Sequence, residues 1–164
     1  MGEVTIRLAH PGDGPGLAEL HIDTATGLHE LDPARFRIPD TEGLAEWLDE
    51  DLAMMGTTWI CFVAEEDGHV VGQVEAKLLP PMETSRYQVM TELGTIRGEV
   101  NSLGVLSSHK RRGIGRALMV RAEGWLRSHD ARSIRLDTFI GSPESVPFYD
   151  ALGYARIAIV FEKP

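Results

Sequence analysis

Cysteine is almost absent from this sequence: Cys61 is the only one in 164 residues. A single cysteine excludes an intramolecular disulfide and any zinc site built from several cysteines. Long apolar runs are also missing, because none approaches the roughly 18–20 residues that a membrane helix needs. The first residues, MGEVTIRLAH, lack the charged start and apolar stretch of a secretory signal. These absences predict a cytoplasmic protein with no membrane partner.

Basic residues are in deficit. Lys and Arg together number 16 against 25 Asp and Glu, a formal charge of −9 at pH 7. Such a balance argues against binding to a phosphate backbone, so no nucleic-acid partner is expected, and it weakly favours a cationic substrate. The six histidines show no H-E-x-x-H or other metal spacing. We therefore expect no metal.

What is present is the composition of a soluble globular protein, with 43% hydrophobic and 25% charged residues. The length predicts a single domain over residues 1–164. Apolar periodicity predicts strands near 4–8, 58–65, 70–79, 95–106, 133–139 and 155–162. It predicts helices near 15–29, 41–55, 113–129 and 146–152. The order βααβββαβαβ indicates an α/β or α+β domain.

The strongest local signal is a strand, loop and helix over residues 100–118. Gly113 and Gly115 leave the loop without side-chain bulk at the helix start, where backbone N–H groups and the helix dipole favour an anion. Four cations surround them: Lys110, Arg111, Arg112 and Arg116. The segment is not a Walker A loop, nor a dinucleotide fingerprint, since a third glycine would fall at Leu118. A basic helix cap on the surface would explain the same charges.

Two motifs add to this signal. The first is [QR]-x-x-G-x-[GA] after a strand with L-x-V, matched here by Leu103, Val105, Lys110, Gly113 and Gly115. The second is N-x-x-A-x-x-[FL]-Y-x-x-x-G-[FY], matched over residues 142–154 by Phe148, Tyr149, Gly153 and Tyr154. Ser142 and Ser145 replace the usual Asn and Ala of that pattern, and Lys110 replaces Gln or Arg. In both motifs and their order, the chain resembles the GCN5-related N-acetyltransferases (GNAT).

The resemblance implies a GNAT-like fold: a mixed, mostly antiparallel sheet of about six to seven strands, about four helices and a splayed strand pair at the acyl-CoA site. It implies acetyl-CoA as co-substrate and a primary amine, on a small molecule or a peptide, as acceptor. The amine would attack directly in a ternary complex. The regions 27–40 and 80–94 would wall the acceptor groove. A homodimer is also compatible with the resemblance.

By the same resemblance, the backbone of Leu103 to Val105 would bind the pantetheine arm and the N–H groups from Arg111 to Arg116 the pyrophosphate. The predicted cofactor-binding residues are Leu103, Gly104, Val105, Lys110, Arg111, Arg112, Gly113, Ile114, Gly115, Arg116, Ala117 and Ser142. Tyr149 would protonate the departing thiolate, since a phenol with a pKa near 10 keeps its proton at neutral pH. A core tyrosine is the structural alternative for this position.

Glu99 is the predicted base, because it lies upstream of Gly113 at the spacing of the glutamate in the histone-modifying branch and shares strand parity with Leu103 and Val105. Glu92 and Asp137 are weaker candidates. Cys61 lies in an apolar strand without a basic neighbour, which argues against an acyl-cysteine intermediate. Two other functions stay open: a non-catalytic acyl-CoA sensor acting through a protein partner, and an anion-binding nucleotide domain of another class.

Overall fold

Five strands join edge to edge in the order in which they occur along the chain. The structure is a computed structural model that describes residues 2–163. The strands are β1 (Val4–Leu8), β2 (Trp59–Glu66), β3 (His69–Leu79), β4 (Arg97–Val105) and β5 (Ser133–Leu136). The helices are α1 (Gly14–Leu31), α2 (Leu44–Ala53), α3 (Ile114–Ser128) and α4 (Ser145–Ala151). Short 3-10 turns occupy Ser85–Tyr87, Thr91–Gly94 and Ser107–His109.

Neighbouring strands β1 to β4 run antiparallel, and only β4 and β5 run parallel. The predicted hairpin is confirmed, with β2 and β3 joined through Asp67 and Gly68. Both turn residues have left-handed φ angles, 50° and 81°, which an Asp-Gly pair adopts readily. The parallel pair is connected through α3, as a parallel connection requires a crossover.

Helix α3 packs closely on one face of the sheet. Its buried side chains Leu118, Met119, Ala122 and Leu126 belong to the main core cluster. The close approach depends on glycine beneath the helix, because a Cβ at Gly98 would lie 2.9 Å from Leu126 Cδ1. The other face carries α1 and α2, whose Leu17 and Leu52 pack in a second cluster with Cys61 and Val63.

Strands β4 and β5 separate part-way along β4. Their pairing runs from Arg97 opposite Ser133 to Val100 opposite Leu136. Beyond that point β4 continues to Val105, paired only with β3. We call this opening the β4–β5 fork. The pairing stops at Leu136, the last residue of β5, so the splayed strand pair that the resemblance implied stays a prediction.

A bulge in β4 lies at the fork. Glu75 of β3 faces Ser102, while the next residue, Ala76, faces Val100, so Asn101 is an extra residue. The bulge reverses the expected alternation along β4. Glu99 consequently lies on the face of α1 and α2, and the predicted parity of Glu99 with Leu103 and Val105 is wrong.

The prediction of a last strand over residues 155–162 is also wrong. Residues 155–163 have no regular secondary structure, are exposed, and form no backbone hydrogen bonds with the described residues. Within residues 2–163 the sheet therefore has five strands rather than six to seven, because the β-prone sequence finds no partner strand among these residues. Helix α4 also begins at Ser145, before Pro147. Proline is tolerated there because the first turn has no intrahelical N–H bonds to lose.

Candidate active site

A cavity of about 340 Å³ lies at the β4–β5 fork. Its walls come from the free end of β4, the loop before α3, the first turn of α3 and the start of α4. The lining residues are Leu103, Val105, His109, Lys110, Arg111, Gly113, Ile114, Gly115, Arg116, Glu144, Ser145, Phe148 and Tyr149. The volume falls within the range of small-molecule pockets. The structure thus brings together nine of the residues that sequence analysis placed at the site.

The loop before α3 has the backbone of an anion cradle. Arg111 and Gly113 both have left-handed φ angles, 63° and 82°, and α3 begins directly afterwards at Ile114. Such alternation turns successive N–H groups towards one concavity, to which the positive end of the helix dipole adds. A Cβ at Gly115 would lie 3.5 Å from Phe148 Cζ, so glycine keeps the cavity open beside the α4 ring.

The four predicted cations have different surroundings. Arg111 and Arg116 are exposed and line the cavity. Lys110 also lines it, but its Nζ donates to Glu144 Oε2 at 2.7 Å, which places a carboxylate on the wall opposite. Arg112 lies outside the cavity lining and bonds to Glu66 instead. The wall is therefore cationic, with one acidic side chain in contact with it.

Two anchors hold the loop, and sequence analysis missed both. Arg112 donates to both oxygens of Glu66, at 2.6 and 3.0 Å, and His109 Nε2 lies 3.0 Å from Glu66 Oε2. The Arg112 hydrogen bond, with a further contribution from His109, lowers the pKa of Glu66 to about 2. On the other side, Asp23 of α1 accepts bonds from Ser107 N and Oγ at 2.8 and 2.7 Å. Both anchors join segments distant in sequence, so no local pattern signals them.

Tyr149 lies on the cavity wall contributed by α4. Burial raises the pKa of its phenol, so the hydroxyl keeps its proton at neutral pH. The ring packs edge-on against Phe148 and Tyr154, with centroids 5.2 and 5.9 Å away. Tyr154 donates its hydroxyl to Glu123 Oε1 at 2.8 Å. The Tyr149 hydroxyl forms no such bond with residues 2–163.

The candidate bases lie away from the cavity. Glu99 stands opposite Lys77 of β3 and Arg135 of β5, on the sheet face turned towards α1. Glu92 forms an ion pair with Arg135. Asp137 follows β5 directly and is exposed. Glu99 is thus the last acidic residue of β4 before the fork opens, on the face opposite the cavity that Tyr149 lines.

Four other predicted cofactor residues do not line the cavity: Gly104, Arg112, Ala117 and Ser142. A Cβ at Gly104 would point towards Leu20 and Thr24 of α1, away from the cavity. Ala117 is exposed on α3 and lines a separate surface groove. Ser142 Oγ lies 2.8 Å from Ser145 Oγ and accepts a bond from Ser145 N at 3.3 Å. Ser142 therefore steadies the start of α4.

The last prediction about the chemistry is that Cys61 does not form an acyl-cysteine intermediate. Its side chain is 1% exposed within β2, and burial, with a smaller contribution from Glu75, raises the pKa of the thiol. A thiol kept neutral and away from the cavity is a poor nucleophile. Within residues 2–163 no group of three His, Cys, Asp or Glu side chains could hold a metal ion, and no helix there is long and apolar enough to cross a membrane.

Comparison with known proteins identifies the family of this chain. The sequence profile described as "Acetyltransferase (GNAT) family" matches residues 25–154, which include the fork, the loop and α4. The chain belongs to the GNAT acetyltransferase family. Members of this family use acetyl-CoA as acyl donor, and the cationic cradle with a helix N-terminus fits the pyrophosphate of that molecule.

Individual relatives are distant. A relative from Sulfurisphaera tokodaii, named N-alpha-acetyltransferase, is 28% identical over 102 residues, or 60% of this chain and 58% of the relative. The match thus spans less than two thirds of that relative's length. A transcriptional regulator from Bacillus halodurans C-125 superposes with a TM-score of 0.76 and 21% identity, covering 99% of both chains. Glucosamine-6-phosphate N-acetyltransferase from Arabidopsis thaliana superposes with a TM-score of 0.70 and 17% identity, covering 99% of this chain and 98% of that chain. These two structures show the shared GNAT fold.

Proposed function

We propose that this chain is an N-acetyltransferase that moves an acetyl group from acetyl-CoA to a primary amine. The observation that carries the proposal is the cavity at the β4–β5 fork, which is lined by both the anion cradle and Tyr149. Acetyl-CoA supplies an activated thioester carbonyl. The protein supplies binding, orientation and a proton.

Binding falls to the backbone of β4 and of the loop before α3. In the described part of the chain, residues 101–105 have no strand partner on the β5 side, so their outward N–H and C=O groups are free to pair with the amides of a pantetheine arm. The N–H groups between Arg111 and Arg116 bind the pyrophosphate. Arg111, Arg116 and Lys110 add charge around them.

Tyr149 acts as the general acid. Its raised pKa keeps a proton at Oη, and no hydrogen-bond partner among residues 2–163 competes for that proton. Donation to the departing sulfur neutralises a thiolate that the apolar wall formed by Phe148 and Leu103 would otherwise stabilise poorly. Tyr154 is excluded from this role because its hydroxyl is bonded to Glu123.

Glu99 accepts the proton of the incoming ammonium, directly or through water. The bulge at Asn101 places Glu99 on the α1 face, whereas Leu103 and Val105 line the donor cavity on the α3 face. Amine and thioester would therefore approach the fork from opposite faces of the sheet. This arrangement supports direct attack in a ternary complex, since each substrate keeps its own entrance.

The acceptor is an amine of a small molecule or a peptide. The name of the Sulfurisphaera tokodaii relative denotes an α-amino group, and the chain's charge of −9 attracts cations. A peptide with a free N-terminus is therefore the first acceptor to assay, followed by polyamines and aminoglycosides.

Thermal unfolding with and without acetyl-CoA tests the donor site, with ATP and NAD as controls. At 100 times Kd the ligand should add about 2.7 kcal/mol, or roughly 5–11 °C in Tm for a domain of this size. A shift with acetyl-CoA alone supports the proposal, and equal or absent shifts contradict it. Mass spectrometry of the amine panel then tests transfer. Binding without any acetylated product across the panel would contradict the catalytic function.

The direct route has its own test. Protein incubated with acetyl-CoA and no amine should keep its intact mass, because Cys61 is buried outside the cavity. A stable acetyl adduct on Cys61 would contradict direct attack and indicate a two-step route through an acyl-enzyme.

A further inference from the structure

A second opening, which we call the α3 groove, lies between helix α3 and the first two strands of the sheet. Its volume is about 530 Å³, within the range of small-molecule pockets. Ile6 of β1 and Phe62 of β2 line it from the sheet, and one flank of α3 lines it from the other side. Its lining residues and those of the cavity at the fork do not overlap.

The groove exists because α3 rests over the middle of the sheet. A Cβ at Gly72 of β3 would lie 3.1 Å from Leu118 Cδ1, and one at Gly98 of β4 would lie 2.9 Å from Leu126 Cδ1. The flank that α3 turns towards β1 and β2 is small at Gly124, where an added Cβ would meet no atom within 4 Å. The lining positions follow helical spacing: Ala117, Val120, Arg121, Gly124, Trp125 and Ser128.

Arg121 is the charged side chain of this lining, and no acidic side chain accompanies it there. Its guanidinium carbon lies 5.3 Å from the ring centroid of Phe62, a cation–π distance. Among residues 2–163 it has no ion-pair partner and no side-chain hydrogen bond. A guanidinium held against an aromatic ring still offers its N–H groups to a planar carboxylate. The groove therefore combines an apolar surface with one cation open to an anion.

The other polar side chain of the lining is already occupied. Ser128 Oγ donates to the carbonyl oxygen of Trp125 at 2.8 Å. Polar recognition in the groove consequently depends on Arg121, while Ile6, Phe62 and Trp125 supply aliphatic and aromatic contact. One cation matches a monoanion, whereas a nucleotide or a phosphate ester would need several.

We propose that the α3 groove binds a small carboxylate with an aromatic or aliphatic body. The carboxylate pairs with Arg121, and the body lies against Phe62 and Trp125. This site goes beyond the proposed acetyl transfer, because the two sets of lining residues are separate. Its occupant is a small molecule, in keeping with the volume of the groove.

The test is a nuclear magnetic resonance titration of isotope-labelled protein with phenylpropionate as probe. The amide signals of Gly124 and Ser128 should move to saturation with a Kd of about 1 mM, as expected for so small a ligand. The signals of Gly113 and Gly115, in the anion cradle, should stay in place. The neutral analogue phenylpropionamide should bind about tenfold more weakly, since it lacks the charge-assisted bond. Saturating acetyl-CoA should leave the groove titration unchanged.

Two variants address the two halves of the groove. Arg121→Gln should weaken phenylpropionate binding about tenfold and remove the difference between acid and amide. Gly124→Leu should abolish binding of both, because its side chain fills the open space beside α3. Leucine favours a helix over glycine, so this variant should keep its circular dichroism. The matched control is Arg132→Gln, which removes an exposed arginine outside the groove and should leave the Kd unchanged.

Several results would overturn the proposal. Shifts confined to Gly113 and Gly115 would place the probe in the cradle, and signals that never saturate would show that the groove has no site. Equal affinity for acid and amide, or full affinity in Arg121→Gln, would exclude recognition of the carboxylate. Binding that weakens as protein concentration rises would show that a second copy covers the groove. Each readout comes from the groove itself, so failure here is distinct from failure of acetyl-CoA binding.

Discussion

Arg112 Nη2 lies 2.6 Å from Glu66 Oε1, and its Nη1 lies 3.0 Å from Oε2. This two-point ion pair joins the end of the β2–β3 hairpin to the loop before α3. The same carboxylate also contacts His109, so a single acidic side chain holds two residues of the loop. The cradle at the cavity is thus held in place by a strand that does not line it.

Replacing Glu66 with Gln should weaken acetyl-CoA binding and lower Tm, because a neutral amide cannot hold Arg112 at both contacts and leaves a partly buried cation unpaired. Calorimetric titration and thermal unfolding measure the two effects. The matched control is Glu65→Gln, which loses the bond from Arg7 at 2.7 Å on the neighbouring residue. Equal losses of affinity in the two variants would contradict an anchoring role for Glu66.

The same pair predicts a dependence of stability on acid. The pKa of Glu66 is lowered from 4.5 to about 2, mainly by Arg112. A lowered pKa stabilises the fold above the ordinary value of 4.5, and the contribution is lost as pH falls through the folded pKa near 2. The difference in urea unfolding free energy between wild type and Glu66→Gln should therefore shrink across this interval. A difference that stays constant would refute the linkage.

Tyr149→Phe should lower kcat by about 10²–10⁴-fold, the usual contribution of a general acid, and leave the Kd of acetyl-CoA nearly unchanged. Tyr154→Phe, just beyond the end of the same helix, is the control. It removes the bond to Glu123 and should cost about 1 kcal/mol of stability with little effect on kcat. Steady-state kinetics measures the change in kcat of each variant, and titration with acetyl-CoA measures the change in Kd. Full turnover by the Tyr149 variant would exclude the phenol as the acid.

Gly113→Ala should weaken acetyl-CoA binding, because its φ of 82° costs an L-residue roughly 1–2 kcal/mol and the loop would relax out of the cradle. Gly124→Ala provides the opposite control in the interior of α3. A Cβ there meets no atom within 4 Å, so alanine should stabilise the helix by about 0.5–1 kcal/mol and leave binding unchanged. Titrations and melting curves of both variants test the contrast.

Glu144→Gln should tighten acetyl-CoA binding by about two- to fivefold, the range expected for an exposed ion pair. The substitution frees Lys110 from its 2.7 Å bond and removes a negative charge from the wall that faces the phosphates. Asp150→Asn, on the same helix and outside the cavity, is the control and should leave the Kd unchanged. Unchanged or weaker binding in Glu144→Gln would show that the pair orders the site.

Local patterns were sufficient to predict most of the fold. The Asp-Gly turn identified the β2–β3 hairpin, and the glycines at 113 and 115 identified the start of α3 within one residue. Both signals depend on backbone angles that few residue types adopt, so the residue types themselves identify these positions. The same loop predicted the location of the cavity, since anion binding there depends mostly on backbone groups.

Long-range geometry could not be predicted in this way. The bulge at Asn101 changes which face Glu99 occupies, and no residue type there requires a bulge. The bond between Glu66 and Arg112 joins the end of β2 to the loop before α3, and only the complete sheet brings these two segments together. Residues 155–162 have the composition of a strand. A strand forms only where a neighbouring strand supplies hydrogen bonds, and composition does not identify that neighbour.

The order of strands in the sheet also bears on assembly. The chain adds β2, β3 and β4 as successive antiparallel neighbours, so this meander is complete once residue 105 has been synthesised. β5 must return across α3, and α4 follows later still. Pairing between distant segments is slow, because its loop-closure entropy is paid before the contacts form. We therefore expect the fork to close on a meander that is already formed, and the cavity to be among the last features of the molecule to mature.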